Sequence, residues 1–192
     1  MKAFRNSYLA YLFLYSFYFM STALFTTLIS VYLIGRQYSA SQVSNLVSTA
    51  FFLSMLAQPL FGYINERFGI VKITTLSLVV LMSGVGGFIW APNYFWLTIF
   101  YGLVLLCLNG TAPMMEVFAT QSPYAFGKIR VWGTLGYAAG AQLAGWLYAH
   151  LSPQSVYYCV LVTLLLSFFT LGAIRIDKTN RVQKEAVSIR PL

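Results

Sequence analysis

The sequence predicts an all-α membrane protein, a bundle of six transmembrane helices. Three observations carry this expectation. Of the 192 residues, 59% are hydrophobic and only 8% are charged, whereas soluble domains carry about 25% charged residues. The apolar residues gather into runs of the length a bilayer demands, about 20 residues for a helix crossing ~30 Å of hydrocarbon. The lysines and arginines punctuate those runs, which is the pattern of membrane topology. An aromatic content of 18% suits lipid contact and interfacial belts.

Composition also excludes several classes. A net charge of +8 could suggest nucleic acid, but the basic residues are not gathered on a soluble surface. Cys107 and Cys159 lie inside apolar runs and read as small buried hydrophobes. No Cys, His and carboxylate spacing matches a metal motif, and no phosphate loop or nucleophile elbow is present. Neither an enzyme nor a cofactor is expected.

Taken in order, the first span covers about 7–34, a run without charge. It is longer than the core of a signal peptide and can cross a bilayer with tilt, so it reads as retained. After a polar connection, Ser39 or Ser41 is placed to cap the second span, about 42–65. The charged turn from Glu66 to Lys72 leads to the third span, about 73–91. Pro92 and Asn93 turn the chain into the fourth, about 94–120. Gln121, Ser122 and Pro123 form the next loop, and the fifth span covers about 126–150. Ser152 and Pro153 precede the sixth, about 156–174. Residues 1–175 form the bundle, and 176–192 form a polar, basic tail or the start of a linker.

With six spans, Lys2, Arg5, Arg67, Lys72, Lys128, Arg130, Arg175, Lys178, Arg181, Lys184 and Arg190 share one side, and Arg36 alone takes the other. The positive-inside rule then puts both termini in the cytoplasm of a cell membrane protein. Gly133, Gly136 and Gly140 recur along the fifth span, where small residues let membrane helices approach closely. His150, near the outer end of that span, reads as an interfacial residue.

Glu116 is the sole acidic residue inside an apolar span, and Arg130 follows fourteen residues later at the start of the next. An ionisable group at membrane depth normally faces protein or water and has a partner. The two are therefore expected to pair on neighbouring helices beside a polar solute pathway. A purely structural ion pair is the other reading.

Three stretches carry a family resemblance. Gly62, Glu66, Arg67, Gly69 and Lys72 sit in a turn that resembles the loop signature of the major facilitator superfamily. Glu66 stands where that signature usually has aspartate. The resemblance implies a gating role for these five residues. Gln58-Pro59-Leu60-Phe61-Gly62, which leads into that turn, Asn109-Gly110-Thr111-Ala112-Pro113-Met114-Met115-Glu116, and Phe126-Gly127-Lys128-Ile129-Arg130-Val131-Trp132-Gly133-Thr134-Leu135-Gly136-Tyr137 are similar to segments of the oligosaccharide:proton symporter (lactose permease-like) family. That resemblance implies sugar hydrogen-bonding by Glu116 and Arg130 and ring stacking by Tyr137, where lactose permease has tryptophan.

The chemistry agrees with it. Carboxylate oxygens accept from sugar hydroxyls, and a guanidinium donates in a fixed fork. Asn109, two helical turns before Glu116 on the same face, could add an amide contact or make an interhelical hydrogen bond. Tyr137 could equally be a packing residue.

The resemblance implies the N-terminal half of such a transporter, two three-helix repeats of inverted topology, importing a sugar or related solute with protons as coupling ion. A second six-helix half would be its partner, since nothing here stands in for the proton-handling groups. The competing readings are a nucleoside or aromatic-acid symporter, and a half-length assembly unit that does not transport.

Overall fold

The computed structural model describes residues 6–174. The basic residues at 2 and 5 and the tail from Arg175 onward lie outside them. Among the described residues seven helices follow one another: α1 (Tyr8–Thr26), α2 (Ile29–Gly35), α3 (Ala40–Phe68), α4 (Ile70–Ile89), α5 (Tyr94–Thr120), α6 (Phe126–His150) and α7 (Ser155–Leu171). The stretch expected as one first span is thus two helices in line, α1 and α2, broken at Thr27 and Leu28. The hydroxyls of Thr22, Thr26 and Thr27 donate to the carbonyls of Tyr18, Thr22 and Ala23 four residues back. Such back-bonding competes for helix acceptors and bends the turn.

Local chemistry sets the other ends. Ser39, of the two serines considered, is the cap of α3; its hydroxyl accepts from the Gln42 amide while the Gln42 side chain accepts from the Ser39 amide. Asn93 caps α5 by accepting from the Trp96 amide at 3.2 Å. α3 and α4 are separated by Gly69 alone, whose φ of +90° is open to glycine.

Four stretches are long and apolar enough to cross a membrane: Tyr8–Gly35, Ala40–Phe68, Ile70–Ile89 and Tyr94–Thr120. α7 is apolar but has 17 residues. α6, with 25 residues, has the length and is diluted by glycines, alanines, Lys128, Arg130 and Gln142.

The packing repeats itself. α1 rests mainly on α6 and α7, α5 rests mainly on α3 and α4, and α4 meets α7. Exchanging the first three spans for the last three turns each of these contacts into another member of the same set. Three spans is an odd number, so the repeats run in opposite senses through the membrane, as inverted repeats do.

The centre of the bundle is aromatic. Phe25, Phe88, Tyr101 and Tyr157 form a mutually packed cluster of rings, and Tyr32 packs edge-on against Tyr157 with centroids 4.6 Å apart. The α1–α6 seam depends on glycine. A β-carbon on Gly136 would stand 2.3 Å from the Ser16 carbonyl oxygen, and one on Gly140 would stand 2.6 Å from that of Met20. Absent side chains thus let the two backbones touch.

Candidate functional site

Four residues before the end of α5, Glu116 projects beside α6. Arg130 is the fifth residue of α6. Its Nη1 lies 3.2 Å from Glu116 Oε2, with 59% of the arginine and 35% of the glutamate side chain exposed. The guanidinium also lies over the Phe126 ring, 5.6 Å from its centroid. Exposed ion pairs contribute about 0–1 kcal/mol, so this pair is a weak clamp for the bundle. A charged pair on a lipid-facing surface would be costly. Its open side is therefore suited to water, solute or another protein surface.

α5 and α6 barely touch each other. α1 sets their spacing. The Tyr15 hydroxyl donates to the Met115 carbonyl at 2.9 Å, beside the Glu116 carboxylate. The Tyr18 hydroxyl donates to the Leu108 carbonyl at 2.7 Å, about two helical turns further back along α5. On the other side, Ser16 donates to the Trp132 carbonyl at 3.2 Å and Tyr8 to that of Lys128 at 3.1 Å. The Trp132 indole N–H returns a bond to the Tyr8 hydroxyl at 2.8 Å. The backbones that carry Glu116 and Arg130 are thus each fastened to the same helix.

Tyr137 stands two turns beyond Arg130 on the same face of α6 and is 43% exposed. Asn109 is engaged elsewhere: its amide nitrogen donates to the Ser54 hydroxyl at 2.9 Å, joining α5 to α3. This is the interhelical bond, and Asn109 shows no contact with Glu116.

The five loop residues gather at the α3–α4 turn. Gly62, Glu66, Arg67 and Lys72 are exposed. Arg67 donates to the Tyr63 hydroxyl at 3.4 Å and lies over Phe68. Glu66 makes no ion pair among the described residues. The alternation of spans puts this turn at the same end of the bundle as Glu116 and Arg130.

Sequence reasoning missed the tyrosines that hold the site. Their signal was present: Tyr8, Tyr11, Tyr15 and Tyr18 recur at helical spacing and form one stripe. Three of their hydroxyls donate to carbonyls of α5 or α6.

Inverted three-helix repeats nested in a six-helix bundle are an architecture found in the halves of major facilitator proteins. Residues 8–189 match the model of the MFS_1 like family. The chain belongs to that family, within the major facilitator superfamily. It is 27% identical over 171 residues to the sucrose permease of Escherichia coli, covering 82% of this chain and 41% of that protein. It is also 27% identical over 163 residues to the maltose permease of Geobacillus stearothermophilus, covering 80% of this chain and 40% of that protein. The chain thus spans about two fifths of the length of these curated relatives.

Proposed function

We propose that the chain forms one half of a sugar transporter of the cell membrane, importing its solute with protons by alternating access, and that Glu116 and Arg130 bind the sugar. The carrying observation is the 3.2 Å pair, held by α1 yet open on one side. A carboxylate and a guanidinium so placed can accept from and donate to neighbouring hydroxyls of one ring. Tyr137, uncovered two turns away, can cover the ring's apolar face. Similarity to two permeases that are named for disaccharides supports a sugar over a nucleoside or an aromatic acid. Transport is favoured over enzymatic chemistry, because one glutamate and one arginine supply no nucleophile and base.

Proton coupling would draw on groups of the other half, and the cytoplasmic turn at Glu66–Lys72 would gate access. The test is uptake in cells that produce the chain together with a second six-helix half. Glu116→Gln and Arg130→Lys should each lower uptake of the transported sugar at least a hundredfold, with the chain still reaching the membrane in unchanged amount. Lysine keeps the charge and loses the planar fork. Sugar uptake that survives Glu116→Leu/Arg130→Leu would reduce the pair to a structural contact.

A further inference from the structure

At the end of the bundle opposite the α3–α4 turn, a second basic centre lies outside the sugar site. Arg36 closes α2, and its guanidinium lies over the Tyr32 ring, 5.8 Å from the centroid. Beside them is a cavity of about 180 Å³ lined by Tyr32, Gly35, Arg36, Tyr148, Ser152 and Gln154. Tyr32 is only 2% exposed. Its hydroxyl and the Arg36 Nη1 are both buried; the two groups interact with each other, and neither makes a well-formed hydrogen bond to another described residue. The Tyr148 hydroxyl lies 3.4 Å from the place a side chain on Gly35 would begin, an ordinary contact distance.

The electrostatics of this corner are one-sided. The described residues hold two carboxylates, Glu66 and Glu116, and both lie at the other end of the bundle. A guanidinium cannot lose its proton. Enclosing one of its nitrogens without an acceptor is costly, as is enclosing a phenol without one. Arginine and tyrosine together offer N–H and O–H donors to the same space, and the Ser152 hydroxyl and Gln154 amide stand at its rim. The lining is largely apolar, with Pro153 beside the polar groups, and the fixed positive charge at its polar corner favours an acceptor-rich anion there. Arginine's fork matches phosphate or carboxylate oxygens in pairs.

We propose that the cavity bounded by Arg36, Tyr32 and Tyr148 is an oxyanion site that holds a phosphate-class group. The group comes either from a phospholipid headgroup at the membrane surface or from a free phosphate ion. Arg36 supplies the charge and Tyr32 a directed hydroxyl from the buried wall.

The test uses the whole chain in a neutral, phosphate-free detergent. Inorganic phosphate is titrated by phosphorus NMR line broadening at constant ionic strength, and native mass spectrometry records phospholipid retained against a neutral glycolipid. The intact chain should bind phosphate saturably, or retain phospholipid that phosphate displaces. Tyr32→Phe and Arg36→Gln should each weaken that binding at least tenfold. Saturable phosphate binding without lipid retention identifies the free ion; displaceable phospholipid identifies the headgroup. Tyr32→Phe removes one oxygen and keeps the ring packed on Tyr157, so its unfolding temperature without phosphate should match the intact chain. Binding that is absent, or equal in all three proteins, overturns the site and leaves Arg36 as a cation reaching for interfacial water.

Discussion

Gly69 is the whole connection between two membrane-length helices. Its φ of +90° with ψ of 135° lies in a region that L side chains rarely adopt, and a β-carbon there would meet nothing within 4 Å. A substitution would therefore be strained by the backbone alone. Gly69→Ala should lower stability by about 1–2 kcal/mol, the cost of a left-handed residue, read as a lower unfolding temperature of the purified chain. The same reasoning separates the ionisable residues. Glu116 and Arg130 were legible in the sequence because each interrupts an apolar run. Asn109 was visible as a polar residue in a span, but its partner Ser54 lies 55 positions away, and no local pattern encodes such a pairing. Arg36 read only as a topological charge, since Tyr32 is one turn away on the same helix but Tyr148 comes from the distant α6.

Elements meet where their smallest residues allow it. Gly133, Gly136 and Gly140 form the face of α6 that lies on α1. Gly145 belongs to the same helix and has nothing within 4 Å of its β-position. The two glycines therefore predict opposite results. Gly136→Ala should force α1 and α6 apart and destabilise the bundle by about 1–3 kcal/mol, the usual cost of overpacking. Gly145→Ala should be neutral or stabilising by up to about 1 kcal/mol through helix propensity. Thermal unfolding of the two variants side by side checks both; equal effects would show that the seam tolerates separation. The glycine spacing was readable in advance, and so was the all-helical bundle, because period and run length are local properties. The break after Thr26 was not. It has no glycine or proline to announce it and follows from threonine hydroxyls competing for carbonyls within an apolar helix. The inverted repeat was expected only through the family resemblance, since it is a symmetry of contacts and not of residues.

Across the whole molecule, two faces remain unpartnered. α3 packs mainly on α5 and α6 mainly on α1, and the internal symmetry makes these helices equivalent. α3 presents Phe51, Phe52, Met55, Leu56 and Leu60 outward along with Asn45 and Gln58, while α6 presents Arg130, Thr134, Tyr137 and Gln142 along with Val131, Leu135 and Trp146. One face could rest in lipid. The α6 face includes the Arg130 charge, which lipid disfavours. Orientation can be read directly, because Cys107 is buried and Cys159 half-buried in the bundle and should give little background labelling. A membrane-impermeant maleimide added to intact cells should modify Ser41→Cys and spare Lys72→Cys; the reverse would invert the topology inferred from basic residues. The uncovered α6 face leads to the last expectation. With its polar surface open, the bundle has no opposing wall against which a solute could be occluded, and alternating access needs two units that rock about a shared site. Residues 1–192 reconstituted alone should therefore bind sugar weakly at most and fail to accumulate it against a gradient. A second half, or a parallel second copy, should restore accumulation by covering α3 and α6. The measurement is sugar uptake into proteoliposomes under an imposed proton gradient, with the chain confirmed as a monomer by crosslinking. Uphill uptake by that monomer would show that a single bundle can occlude its solute, and α6 would then have to close on α3 within one chain.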